Sequence, residues 1–538
     1  MNKSEILSKK KRGYASSALI LATAGMVAKI IGAIYRIPLT NILGAEGIGI
    51  YQLVFPIYAL MLTLSSSAIP TAISRLVSEK NTLGDLHGEK KVLKTAGILL
   101  FCLGVVFMLV MYLLSSPLAS IQGNNLVKYG YYVVAPSILF VAISSFFKGW
   151  FWGNMNMLPT ASMQIIEQVM KMIFGLLFAY ILRSKGIIYA VTGALIGLTL
   201  SEFLSMAFLA VIYLKDRPKG VISTRIDMKT TSMIVKVSMP IMVSSLIFPL
   251  VQFVDSLLIV NLLTYKGLEH SVAVGEYGIL TAPVNSLINM PIVITLAFAV
   301  AIVPIISSKR ASRDIISIKD KSTSALKLSY LFSMPCFLGV FILSNPLMRA
   351  LYPSFSANDI DLATILLMAS SISIVLLSVQ QVYTSILQAL GKSLAPAKNL
   401  AITAIVKIML DILLIYTLGI IGACISSVIA YIVGITLNYL THRKLLGKSK
   451  NLLKNVSKIT LSSVIISLVV FALTFLIRNS YVLIIVSIVV SVPIYVLLII
   501  ALGVLSNDEL RGFPFGKLLI KMQNKFRRES NDNSSGLR

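Results

Sequence analysis

Eight charged side chains lie inside stretches that are otherwise apolar: Lys29, Arg36, Lys171 and Lys407 among the bases, Glu167, Glu202, Asp255 and Asp411 among the acids. A charge at membrane depth costs at least a few kcal/mol on insertion scales, so such groups face a protein interior, a water-filled path or a partner of opposite sign. Lys29 and Arg36 share one helical face with Ala33. Lys29 falls roughly 22 Å along a helix that starts at Tyr14, at ~1.5 Å per residue. That is too deep to reach the inner headgroups easily, and it makes Lys29 the first candidate to line a path. Arg36, beside Pro38, fits two placements: the path, or a side chain snorkelling to outer phosphates. Glu167 and Lys171, and later Lys407 and Asp411, are spaced i, i+4, where side chains of one helix can neutralise each other. Glu202 and Asp255 have no cation at that spacing. Each is protonated, paired across helices, or a point of proton or sodium coupling.

Other reactive residue types add no site. Cys102, Cys336 and Cys424 fall in apolar segments without short spacing, so neither a disulfide framework nor a metal centre is implied. His87, His270 and His442 lie far apart in connections, and no residue is assigned a catalytic role. Gly391-Lys392-Ser393 and Gly447-Lys448-Ser449 look like fragments of a phosphate-cradling loop. The motif needs an earlier glycine where this chain has Ile386 and His442, so both are rejected and no cofactor is expected.

The elements that must hold these groups are membrane helices. Of 538 residues, 57% are hydrophobic and only 13% charged, with a mean hydropathy of +0.87. A bilayer core of about 30 Å takes about 20 apolar residues in helical form. Fourteen such segments are read, near residues 14–38, 48–74, 92–115, 128–150, 159–182, 187–214, 230–262, 276–306, 324–344, 360–390, 396–418, 420–441, 455–477 and 481–505. The class is therefore all-α and polytopic. With a cytoplasmic N-terminus, all but about 6 of the connection and tail cations fall inside; those outside are Lys128, Arg183, Lys185, Lys266, Arg349 and Arg478. Both termini are then cytoplasmic. This orientation accounts for the net charge of +27 without a nucleic-acid partner. The run after Lys9–Arg12 continues past Ala22-Thr23-Ala24 to Leu39 and is read as a membrane segment rather than a cleaved signal. Residues 513–528 mix Phe513, Phe515, Leu518, Leu519, Ile520 and Phe526 with Lys517, Lys521, Lys525, Arg527 and Arg528, a basic amphipathic tail suited to anionic lipid; residues 530–538 are expected to be disordered.

Internal repetition sets the larger organisation. Pro70-Thr-Ala-Ile-Ser-Arg75 ends the second segment and Pro304-Ile-Ile-Ser-Ser-Lys309 the eighth; Gly153 leads to Pro159 and Lys171 as Gly391 leads to Pro396 and Lys407. Two six-helix halves follow, 1–225 and 226–450, with a further helix pair at 451–510 and the tail at 511–538. An even number of helices per half gives both the same orientation, with the substrate path between them.

Arg36-Ile-Pro-Leu39, Leu43-Gly-Ala-Glu-Gly-Ile-Gly-Ile-Tyr-Gln-Leu-Val-Phe-Pro-Ile-Tyr58 and Ile69-Pro-Thr-Ala-Ile-Ser-Arg75 resemble the opening of the stage V sporulation protein B-like family of polysaccharide-biosynthesis membrane proteins. Pro159–Lys171 and Gln388-Ala-Leu-Gly-Lys392 are similar to its later segments. The resemblance implies the multidrug, oligosaccharidyl-lipid and polysaccharide exporter superfamily, near the MurJ-type lipid II flippases. It further implies two six-helix lobes in a V shape, a multi-pass chain in a bacterial plasma membrane, and no enzyme activity. The expected cargo is a lipid-linked saccharide precursor of cell wall, of the undecaprenyl-pyrophosphate kind, moved by a monomer from the inner to the outer leaflet. Lys29, Arg36, Lys171 and Lys407 are the expected phosphate contacts, and Glu167, Glu202, Asp255 and Asp411 the charge partners or ion-coupling groups. Membrane potential, worth about 2.3 kcal/mol per charge per 100 mV, or a proton or sodium ion could drive the step. A drug and cation antiporter of the same superfamily would want a more acidic, aromatic cavity. An enzyme acting on lipid-linked sugars would want more than the short outer connection that carries Arg349, Asp359 and Asp361.

Overall fold

The computed structural model describes residues 3–216, 228–447, 452–511 and 516–535, and among them it is helical, with no strand. The helices are α1 Lys3–Leu62, α2 Ile69–Thr82, α3 Leu86–Ile121, α4 Val127–Gly153, α5 Leu158–Leu182, α6 Ile187–Asp216, α7 Met228–Tyr265, α8 His270–Ile279, α9 Asn285–Ala311, α10 Ile315–Ile342, α11 Ser344–Leu351, α12 Ala357–Ser371, α13 Ser373–Ala389, α14 Leu394–Leu418, α15 Ile420–Leu446, α16 Leu452–Leu476, α17 Ser480–Ala501, α18 Asn507–Arg511 and α19 Gly516–Ser535. Single π turns at Thr63–Ser67 and Leu280–Val284 join α1 toward α2 and α8 to α9.

Thirteen stretches among the described residues are long and apolar enough to cross a membrane. The first, Ile20–Thr82, contains two of the fourteen expected segments. Its 63 residues would extend ~95 Å if straight, several bilayer cores. It breaks at Gly44, whose φ of 69° and ψ of −176° leave helical geometry. A side chain at that φ would be strained, so glycine is what allows the break.

The chain divides into two compact units. The first holds Met1–Ser286, Ser354–Asp359 and Ala404–Ser426; the second holds Leu287–Pro353, Ile360–Thr403 and Ser427–Arg538. The boundaries expected at 225/226 and 450/451 fall outside the described residues. In the first unit α5 packs along α6, α3 along α4, and α1 against α5 and α8. Its buried core includes Ile73, Val77, Leu100, Trp150, Phe151, Met163 and Leu209. In the second, α10 packs on α13 and α16, with one core around Ile302, Ile306, Val382 and Ile386 and another around Leu331, Met334, Ile459 and Ile499.

One local device occurs in both units. Gly84 after α2 has φ 69° and Arg313 after α9 has φ 56°. Each is followed by an aspartate that caps the next helix. Asp85 accepts from Gly88 N at 2.7 Å and from Lys80 Nζ at 2.9 Å. Asp314 accepts from Ser317 N at 3.1 Å and from Lys309 Nζ at 3.2 Å. An aspartate at the N-cap satisfies a free backbone N–H and meets the positive end of the helix dipole. At the other end of the chain, residues 530–535, expected to be disordered, continue helix α19. Phe513 and Phe515 lie outside the described residues.

Candidate functional site

The eight charged residues separate into two polar groups and two residues on α1, all within the first unit. Around Lys171 the helices α1, α4, α5 and α6 converge. The α5–α6 contact is backbone against backbone, since a Cβ on Gly197 would come within 2.3 Å of Gly175 N. About one turn from that crossing, the two antiparallel helices bring Lys171 on α5 level with Glu202 on α6, with Glu167 one turn further along α5. Lys171 is half-buried, its Nζ 5.8 Å from the centre of the Tyr35 ring and 5.4 Å from that of Phe55, both on α1. Ammonium ions are attracted to ring faces at such distances. The i, i+4 pairing of Glu167 with Lys171 is not formed among the described residues. Glu167 instead accepts from Gln168 Nε2 at 2.9 Å, while the lysine turns to the rings. Glu202 lies within electrostatic reach of Glu167, Lys148 and Lys171. Tyr58 completes this wall, with its hydroxyl accepting from Ser137 Oγ at 3.0 Å.

The second group is a closed ion cluster. Lys407 Nζ lies 2.6 Å from Asp255 Oδ1 and 2.7 Å from Asp411 Oδ2, and the other Asp411 oxygen accepts from Ser426 Oγ. Gly419 positions it: with φ 67° it is the whole connection between α14 and α15, so Asp411 and Ser426 face each other across a tight hairpin. Asp255, which lacks a same-helix partner, is thus paired across helices. Lys407, expected to contact phosphate, has its ammonium held by two carboxylates. Asp255 is the more accessible of these, its side chain 20% exposed against 0% for Asp411. A buried cation needs such partners to offset desolvation, and two acids leave the cluster with one net negative charge when all three are ionised.

Lys29 and Arg36 stand on α1. Arg36 is half-buried and donates from Nη1 to Ser286 Oγ at 3.3 Å, so its head is engaged by protein. Lys29 is exposed and has no ion pair among the described residues. At 3.6 residues per turn it falls about 160° around the helix from Val27 and about 140° from Ile34. Those two belong to the exposed apolar stripe of α1. Lys29 is therefore turned away from the side suited to lipid and toward the side where Gly25 and Gly32 approach Gln164 and Gln168 of α5. A separate cavity of about 260 Å³, lined by Asn41, Gly44, Arg183 and Ser354 among others, includes none of the eight.

Sequence reasoning left out Lys148, near the end of the segment at 128–150, and the rings of Tyr35 and Phe55. Lys148 sits within α4 in Phe146-Phe-Lys-Gly-Trp150, and that aromatic setting was the available signal.

Comparison with known proteins gives a family for this chain. The family model for polysaccharide biosynthesis proteins matches residues 15–310, and that for MatE matches residues 240–413. Stage V sporulation protein B of Bacillus subtilis (strain 168) is 27% identical over 95% of this chain and 100% of its own length. Lipid II flippase MurJ of the same organism is 25% identical over 81% of this chain and 83% of its own. Among solved structures, lipid II flippase MurJ in an inward closed conformation superposes with a TM-score of 0.72 at 19% identity, covering 89% of this chain and 98% of that one.

Proposed function

Because the chain belongs to the polysaccharide biosynthesis protein family, a multi-pass class of the bacterial plasma membrane, we propose that it moves a lipid-linked saccharide between leaflets. The cargo on this reading is a cell-wall precursor on an undecaprenyl-pyrophosphate carrier, taken from the inner to the outer leaflet by alternating access. No bond is made or broken.

The observation that carries the reading is the state of Lys171: a half-buried ammonium resting on two rings, within electrostatic reach of Glu202 but in salt-bridge contact with no carboxylate among the described residues. A pyrophosphate cannot cross hydrocarbon unaided. It would find here a cation whose attraction has not been spent on a fixed partner, with Lys29 and Arg36 along α1 and Lys148 across on α4. Phe55, the less buried of the two rings, supplies an apolar face for the sugar, while Tyr35 backs it from the core. Lys407 joins when phosphate replaces Asp255, the more exposed of its two carboxylates. Asp255, Asp411 and Glu202 then take up the charge left behind, as protonated acids or as hosts for a coupling cation. A net charge crossing the field gains about 2.3 kcal/mol per 100 mV, so the membrane potential can drive the step.

One observation favours a second reading, export of cationic drugs: the MatE match over residues 240–413, together with the acids and rings near Lys171. Purified protein in vesicles separates the two. With a fluorescent lipid-linked saccharide, the wild type is expected to move label to the far leaflet and Lys171→Ala to do so at least about tenfold more slowly, the worth of one charged hydrogen bond. Equal rates for the wild type, Lys171→Ala and Lys29→Ala would remove the site. Uptake of an organic cation with no saccharide movement would establish the antiporter.

A further inference from the structure

The second unit carries a structured C-terminal strap that cargo movement does not require. Lys327 of α10, buried at 7% exposure, donates to Glu509 of α18 at 2.5 Å and to the Val504 carbonyl at 3.2 Å. Lys458 of α16 donates to the Leu502 carbonyl at 2.6 Å. Gln523 of α19, also buried, donates to the Leu505 carbonyl at 2.9 Å, and Glu509 accepts from Ser506 N at 2.9 Å. Leu510, Leu519 and Ile520 pack into the core formed by Leu331, Met334, Ile459 and Ile499. Placing two lysines on one short stretch of backbone is tolerable only where their donors are met. Residues 502–511 and 516–523 are therefore a fixed part of the second unit. Of the apolar residues expected to lie in lipid, Leu519 and Ile520 are instead docked on protein, while Leu518 stays exposed.

Docking decides what the other face presents. Gly516, Leu519, Ile520 and Gln523 turn inward, while Lys517, Leu518, Lys521, Asn524 and Lys525 are exposed. The lysines at i, i+4 and i+8 form a single stripe, and Leu518, 57% exposed, sits between the first two. The helix is pinned beside the end of the α17 span, which stops at Ala501. For a span of that length, its end falls near the level of lipid headgroups.

We propose that the exposed face of α19 is a docking surface for anionic lipid headgroups, with Lys517 and Lys521 meeting phosphates and Leu518 entering the boundary between headgroup and acyl chain. Charge complementarity supplies the attraction, and the exposed leucine between cations fits a lipid surface better than a nucleic acid. Through the Lys327–Glu509 pair the contact is fastened to α10, so lipid charge bears directly on a membrane-spanning helix. The inference does not depend on the identity of the cargo.

The test uses the full chain with Cys102, Cys336 and Cys424 replaced by alanine and Leu518→Cys carrying a polarity-sensitive dye. It is placed in nanodiscs of phosphatidylcholine or of an equal mixture with phosphatidylglycerol. The dye is expected to emit further to the blue and to resist acrylamide quenching in the anionic discs. Lys517→Gln with Lys521→Gln should weaken the contact equilibrium about 30-fold, from the usual worth of two lysines at a charged surface. Salt near ~1 M, which cuts the Debye length to ~3 Å, should abolish the difference between lipids. Identical spectra in the two lipids, or a difference that survives both substitutions, would overturn the proposal. So would a shift caused by an acidic polypeptide in phosphatidylcholine but not by phosphatidylglycerol, which would assign the stripe to a protein partner.

Discussion

Lys171 and Lys407 occupy matching places in a repeated sequence pattern, yet they are different chemical objects. Lys407 is one member of a three-charge cluster, and removing it leaves Asp255 and Asp411 facing each other in a buried place. Lys407→Met is expected to cost about 3–5 kcal/mol, the usual penalty for breaking a buried pair. Melting in detergent measures it, and adding Asp255→Asn and Asp411→Asn should recover most of the loss; failure to recover would mean that packing, not charge, holds the cluster. Lys171 gives up only ring contacts of about 0.5–2 kcal/mol when truncated. Lys171→Ala should therefore melt close to the wild type while its saccharide transport falls. A large drop in both would mark Lys171 as structural. The i, i+4 spacing was readable for both lysines and Lys407 does meet Asp411, but that Asp255 would join it and that Lys171 would turn to rings was not. The competing acceptors and rings come from helices far away in the sequence: Asp255 on α7, Tyr35 and Phe55 on α1.

Elements place these residues through a few close contacts. At the α5–α6 crossing the two backbones touch at Gly175 and Gly197, leaving no room for a Cβ. Gly197→Ala should destabilise by about 1–3 kcal/mol through overpacking, lowering the melting temperature and spreading Lys171 from Glu202. An unchanged melting temperature would show that the pair can separate at no cost. The hairpins after α2 and α9 give a prediction in pH. The side chain and backbone N–H of Ser317, with Lys309, hold Asp314 down at about 2, and the Lys80 and Gly88 hydrogen bonds likewise lower Asp85. A carboxylate depressed in the folded state stabilises above its unfolded pKa and loses that contribution as pH falls through the folded value. The Asp314 contribution should thus fade between about pH 4 and pH 2. Asp314→Asn, which keeps a capping oxygen, should flatten that part of a melting-versus-pH curve, and an unaltered curve would exclude Asp314 as its source. Helix existence was legible because apolar runs of bilayer length leave the backbone no other way to satisfy its hydrogen bonds. The fusion of the first two segments was not, because a single residue, Gly44, departs from helical geometry where a longer connection was expected.

Taken whole, the molecule is a polytopic helical chain whose orientation rests on its basic connections. A cysteine in place of Lys185 is expected to react with an impermeant thiol reagent in intact cells, and one in place of His87 only after permeabilisation; the reverse labelling would invert the assigned topology. The amino-acid sequence alone determined the class, the helix positions, the repeated motifs and the family resemblance. These depend on local hydropathy, on short-range spacing and on blocks of residues contiguous in the chain. Tertiary structure alone decided which charges are spent and which are open. It paired Lys407 with Asp255, set Lys171 on two rings, brought in Lys148, and turned the apolar face of α19 inward onto α10, α16 and α17. Each of those outcomes is a choice among partners distant in sequence. Electrostatics and packing make that choice only once the helices have been brought side by side.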